Sequence, residues 1–177
     1  MIVTTVACCG ISFGAVITFV PTFTQEDRLG PVSTFFLAYT VTAVLTRVTV
    51  GRIADTLGRR TVILPGLVLL GASIAALAWV QGPLELAATG LLFGLAQGVV
   101  YPTLNAFSVD QARPGQIGRV QSIYNGAFNI GTTLGSLLLG SVVHAFGHRR
   151  MFLCAAGVAM TAFVVFAIGT GTGGSDG

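Results

Sequence analysis

The chain has 177 residues, of which 53% are hydrophobic and only 8% charged; its nine basic residues are all arginine, its net charge is +3, and its mean hydropathy is +0.85. A soluble domain carries about a quarter charged residues, so there is too little polar surface here to cover a water-soluble globule. No basic cluster points to nucleic acid. The three cysteines, Cys8, Cys9 and Cys154, all fall in apolar runs and suggest neither a metal site nor a disulfide framework.

Uncharged runs occupy 1–25, 29–46, 61–84, 86–109, 120–148 and 151–175. Each approaches or exceeds the ~20 residues that carry a helix across ~30 Å of hydrocarbon. The runs lack the period-two alternation of a membrane β-barrel. The reading is therefore an all-α membrane protein, with helices predicted at 2–23, 32–50, 61–80, 84–107, 119–146 and 151–169 and a flexible polar tail at 170–177. Gly30-Pro31, Gly82-Pro83, Pro114-Gly115 and Gly147 supply the breaks. The first run has no positively charged leader of the kind that opens a signal peptide. Its abrupt start is expected of an internal piece of something larger.

In the first two helices Thr5, Ser12 and Phe19 share one face, and Tyr39, Thr42 and Thr46 another. Hydroxyls can bond their own helix backbone, so these faces do not by themselves imply a ligand. Next comes GRIADTLGRR, residues 51–60, read as a loop: Gly51 and Gly58 permit tight turns, Asp55 can sit against a helix N-terminus or an arginine, and Arg59 and Arg60 anchor in headgroups. Arg47, Arg52, Arg59, Arg60, Arg113 and Arg119 fall on one side of the membrane, against Arg28, Arg149 and Arg150 on the other. The excess places the first side, with both termini, in the cytoplasm. The pair Arg149-Arg150 runs against that rule.

The fourth and fifth helices carry the polar chemistry. At 100° per residue, Gly90, Gly94, Gln97, Gly98, Tyr101 and Asn105 lie within about 100° of arc, and Gln121, Asn125 and Asn129 share a face with Thr132 and Ser136. Buried amides and phenols are unfavourable against lipid, so they are expected to face a cavity or a partner helix. Gln97, Tyr101, Asn105, Gln121, Asn125 and Asn129 form the candidate cavity. Gly90, Gly94 and Gly98, and Gly131 and Gly135, are spaced four apart and read as helix-packing positions. Pro102 should kink the fourth helix, whereas Pro65 sits near the start of the third, where proline is tolerated. No Asp, Glu or Lys lies at mid-depth, and His144 and His148, the latter placed in a loop, read as interface residues.

The final GTGTGGSDG formally contains G-x-G-x-x-G from Gly169 to Gly174. It lacks the preceding strand and following helix that a dinucleotide site needs. Nothing calls for a cofactor or a metal.

The spacing Gly51, Asp55, Gly58, Arg59, Arg60 between two apolar helices is similar to the loop signature of the major facilitator superfamily. Thr56 departs from it where many members carry Arg or Lys. FVPTF (19–23), FFLAYTVTAVLTR (35–47), GLLFGLAQGVVYP (90–102) and the run 118–152 resemble the carboxy-terminal six-helix half of efflux permeases in that family. This resemblance covers essentially the whole chain. It implies one half-bundle of a secondary transporter, in which the first, second, fourth and fifth helices line a cavity and the third and sixth pack outside. It also implies alternating access, a small organic solute such as a drug, sugar or metabolite, and a second wall supplied by an amino-terminal half or a second copy. The half is expected to be inactive alone and to reside in the cell membrane. A non-transporting subunit or vestigial fragment is the second reading. An intramembrane serine protease using Ser12 or Ser136 with His144 lacks a nucleophile motif, and no enzyme activity is expected.

Overall fold

The structure, a computed structural model, describes residues 1–171, apart from the side chains of 50–56. Among the described residues six helices follow one another: α1 (Ile2–Glu26), α2 (Val32–Leu57), α3 (Arg59–Ala76), α4 (Pro83–Asp110), α5 (Ile117–Phe146) and α6 (His148–Gly171), with a 3-10 turn at Leu77–Trp79 closing α3. Each is long and apolar enough to cross a bilayer. Helices are the form expected there, because hydrocarbon offers no partner for backbone N–H and C=O groups.

Several helices outrun the charge-free segments that announced them. The largest difference is at 51–60. That stretch is not a loop: α2 continues through Leu57, Gly51 lies inside the helix instead of in a turn, and the chain reverses at Gly58 alone, whose φ of +86° suits glycine. Helix α3 then begins at Arg59 instead of residue 61. The side chain of Asp55 lies outside the described residues. An uncharged run marks the extent of the hydrocarbon, not the end of the helix, which continues into headgroups and water until a glycine or a loop stops it. The same holds at the C-terminus, where α6 extends to Gly171 and takes in the first residues of the expected tail. Residues 172–177, including the rest of the G-x-G-x-x-G, are outside the described part.

Helix α1 packs along α5 and α2 along α4, while α3 packs against α4 and α6, and α6 against α1. Close approach of backbones drives such packing in lipid, where apolar area alone gains nothing. On α1, a Cβ at Gly10 would strike the carbonyl of Phe128 and one at Gly14 the carbonyl of Thr132; on α5, Gly131 and Gly135 press equally hard on the carbonyls of Ala7 and Ile11. The contact is reciprocal, glycine pair against backbone on both sides. Along the α2–α4 seam, a Cβ at Gly90 would stand 2.6 Å from the Phe35 carbonyl oxygen and one at Gly98 2.8 Å from Thr46 Cβ, with Gly94 closer still to Tyr39. Aromatic rings fill the space left over: Phe23, Phe35, Phe93, Phe152 and Phe166 are fully buried.

Hydroxyls mostly bond their own helices. Thr5, Thr42 and Thr46 donate to carbonyls four residues back. Ser12 does more, since its Oγ lies 3.1 Å from the Cys8 carbonyl and 3.0 Å from that of Ala155 on α6.

Candidate polar site between helices α4 and α5

The expected face of α4 divides between two neighbours. Its first part, Gly90, Gly94 and Gly98, lies against α2. Its later part turns to α5. There Asn105 and Gln121 exchange two hydrogen bonds, Nδ2 of Asn105 donating to Oε1 of Gln121 at 3.1 Å and Nε2 of Gln121 donating to Oδ1 of Asn105 at 2.9 Å. One turn away, the Tyr101 hydroxyl donates to Oδ1 of Asn125 at 3.1 Å. The buried Tyr124 hydroxyl donates to the Tyr101 carbonyl at 2.7 Å. Four hydrogen bonds in three steps thus join helices that otherwise touch little.

The aromatic frame continues the ladder. Tyr101 lies edge-on to Tyr124 and Phe128, with ring centroids 5.5 and 4.9 Å apart. Phe13 on α1 bridges Phe128 and Phe93, and Phe93 reaches Tyr39 on α2. A cleft of about 230 Å³ opens beside Tyr124 between α1, α4 and α5, walled by Ile2, Val6, Ser108, Val120 and Ile123 among others.

Two candidate residues stand outside these bonds. Gln97, 3% exposed, keeps its Nε2 without a hydrogen-bond partner. A buried amide in that state is unfavourable by roughly 1–3 kcal/mol. Asn129 is exposed on α5 one turn beyond the likewise exposed Asn125.

Arg59 and Arg60 take up positions that reading the loop alone did not anticipate. Nε of Arg59 pairs with Oδ2 of Asp110 at 2.6 Å, tying the start of α3 to the end of α4, and Nη1 of Arg60 donates to the Thr170 carbonyl at 3.0 Å, tying it to α6. The sequence signal for the first link was present, an acid ending one apolar run and an arginine opening another, but 51 positions separate them. Gly10 and Gly14 were also missed, although GISFG carries the same four-residue spacing as the glycines that were noticed. His148 was expected in a loop; it opens α6 and is buried, facing Thr22 and Glu26 of α1.

Residues 2–172 match the family model described as Major Facilitator Superfamily. The chain is 32% identical over 138 residues to the multidrug resistance protein MdtG of Dickeya zeae, covering 77% of this chain and 34% of that protein. It is 30% identical over 121 residues to MdtG of Klebsiella pneumoniae, covering 68% and 29%. It thus spans about a third of the length of these curated relatives. The fold superposes on the POT family transporter PepTSo with a TM-score of 0.83 at 20% identity, over 96% of this chain and 36% of that one. With six apolar helices packed as one bundle and a family match along almost its whole length, the chain is an integral membrane protein belonging to the major facilitator superfamily of transporters.

Proposed function

We propose that this bundle is the carboxy-terminal half of a secondary transporter exporting a small organic solute of the drug type, and that it needs a second six-helix bundle to work. The observation carrying the reading is the ladder on α4 and α5: it gathers phenol and amide groups between two apolar helices, with its own Asn125 and the neighbouring Asn129 exposed. Helices α2 and α5 are the least covered, with 17% of their apolar membrane-spanning stretches buried against 39–50% for the other four. These two open faces suit a second bundle, with the solute between. Alternating access would then rock the two bundles about that site. The name of the relatives, multidrug resistance protein, suggests the solute class. The arginine excess at the end bearing Arg59 and Arg60 supports a cytoplasmic position for that end and both termini, in the inner membrane.

The test is drug susceptibility and dye efflux in cells expressing the chain with and without a separately encoded amino-terminal six-helix half. Export is expected only from the pair, falling at least tenfold in Asn125→Ala combined with Asn129→Ala. Undiminished export in that variant would remove the site, and full export by the chain alone would remove the need for a second bundle. The motif Gly51, Asp55, Gly58, Arg59, Arg60 is assigned to conformational switching; Asp55→Ala is expected to slow export without lowering the amount of protein in the membrane.

A further inference from the structure

Arg47 is set back from both ends of its helix. It falls within the apolar stretch Val32–Thr49 of α2, and because that helix runs on to Leu57, Arg47 stands ten residues, about 15 Å, before the inner end. It is exposed, among Val44, Leu45 and Val48, which are 53%, 63% and 75% exposed. Thr46 beside it presses on Gly98, so Arg47 is turned about 100° away from the α4 seam. The register of that seam fixes its depth. Gly90 meets Phe35, Gly94 meets Tyr39, and Gly98 meets Ala43 and Thr46. The next step brings Arg47 level with Tyr101, the rung that holds Asn125.

A cation at such a depth calls for an anion or a set of polar partners. No described acid lies at that level. Glu26, Asp27 and Glu85 are at the opposite end of the bundle, Asp110 is held by Arg59, and Asp55 is two turns further along α2; Asp176 lies outside the described residues. Among the described residues Arg47 forms no ion pair.

The polar groups around that level are also donors. Tyr101 spends its hydroxyl hydrogen on Oδ1 of Asn125, which leaves both hydrogens of Asn125 Nδ2 for something else. Asn129, one turn on, makes no side-chain hydrogen bond among the described residues, and both amides are exposed. One turn before Tyr101, the buried Nε2 of Gln97 has no partner. A guanidinium adds five N–H donors and no acceptor. Such a set is complementary to a group that only accepts, an ionised carboxylate, sulfonate or phosphate.

We propose that Arg47 binds the anionic group of the solute, with Asn125 and Asn129 as amide donors, so that the transporter selects amphipathic organic anions. This rests on the reading that the solute lies against the open faces of α2 and α5. The guanidinium holds an oxyanion through paired N–H bonds. The valines and leucine exposed around it take the apolar body of the molecule.

Two xanthene dyes of similar shape and opposite charge test this: fluorescein, which carries a carboxylate, and a cationic rhodamine whose carboxyl is an ethyl ester. The full chain in phosphatidylcholine nanodiscs is titrated with each dye and read by fluorescence anisotropy against empty discs. Wild type is expected to bind fluorescein about tenfold more tightly than Arg47→Gln, the factor that one hydrogen bond to a charged group supplies. Arg47→Lys should fall between them, and rhodamine binding should not change. Equal fluorescein binding in wild type and Arg47→Gln overturns the proposal. A wild-type advantage that vanishes when phosphatidylglycerol is included overturns it too, because a lipid headgroup then occupies Arg47. Export by cells that also express an amino-terminal six-helix half separates the site from the broader reading. Loss of fluorescein export alone in Arg47→Gln supports the site, whereas equal loss of both dyes assigns Arg47 to a carboxylate of the second bundle and overturns it. Wild-type export of neither dye counts against the transport reading, and the binding comparison then decides the site by itself.

Discussion

Helix α5 meets α1 and α4 by opposite means. Against α1 it brings Gly131 and Gly135 onto bare backbone while Gly10 and Gly14 do the same in return. Against α4 it reaches out with the side chains of Gln121, Asn125 and Tyr124, the last donating to the Tyr101 carbonyl, and no backbone presses on backbone. The first seam has one geometry, since nothing can slide past a carbonyl at that distance. The second can be opened by rotating side chains. Helix α5 thus carries a fixed seam on one flank and a releasable one on the other.

The contrast can be broken most forcefully at the glycines. Gly131→Leu forces a branched side chain into the Ala7 carbonyl, and an overpacked position with no room to relax is destabilised by about 3 kcal/mol or more. Denaturation in mixed micelles should register that loss; wild-type stability would mean that the α1–α5 seam is looser than described. Gly94→Leu on the α2–α4 seam should behave alike.

The amide ladder should respond differently. Asn105→Leu leaves the Gln121 amide without its partner in a half-buried place, an effect of about 1–2 kcal/mol. Adding Gln121→Leu should return part of it, because two apolar groups can replace a matched pair. A double-mutant cycle measures this directly, and strictly additive losses would mean that the two amides do not depend on each other. Smaller still is Tyr101→Phe, which removes the bond to Asn125 and should lower stability by about 0.6 kcal/mol, the usual size of one hydrogen bond between membrane helices. If Tyr101→Phe proves as damaging as Gly131→Leu, the distinction between a fixed seam and a releasable one fails. The Arg59–Asp110 pair ranks with these, since an ion pair half in water contributes about 0–1 kcal/mol and weakens with salt.

Much of the architecture was legible because a bilayer writes itself into composition. Six charge-free stretches mark six crossings, and proline with glycine marks most of the gaps. What composition reports, though, is where the hydrocarbon stops. Residues 51–57 carry Arg52 and Asp55 and so read as a loop, yet α2 runs on through them because nothing before Gly58 breaks a helix. The polar faces of α4 and α5 could be found from angular spacing alone. That Asn105 chooses Gln121 while Gln97 is left unpaired could not, as it depends on how far two helices are separated and rotated. His148 was opaque for a similar reason. Its two partners lie 122 and 126 positions away, on a helix that sequence order does not place beside it.

The reversals at Gly58 and Gly147 each use a single residue, with φ of +86° and +82°, whereas α4 and α5 are joined through residues 111–116. One residue leaves no slack. An extra amino acid beside Gly58 would turn α3 by about 100° about its axis, swinging Gly66 off Val100 and Arg59 off Asp110 together. The same insertion within 111–116 would be absorbed. Spontaneous insertions and deletions in this gene should therefore survive selection in the longer linker and be purged at the two glycines, a pattern that a library of random one-codon insertions would reveal as gaps in the map of tolerated sites.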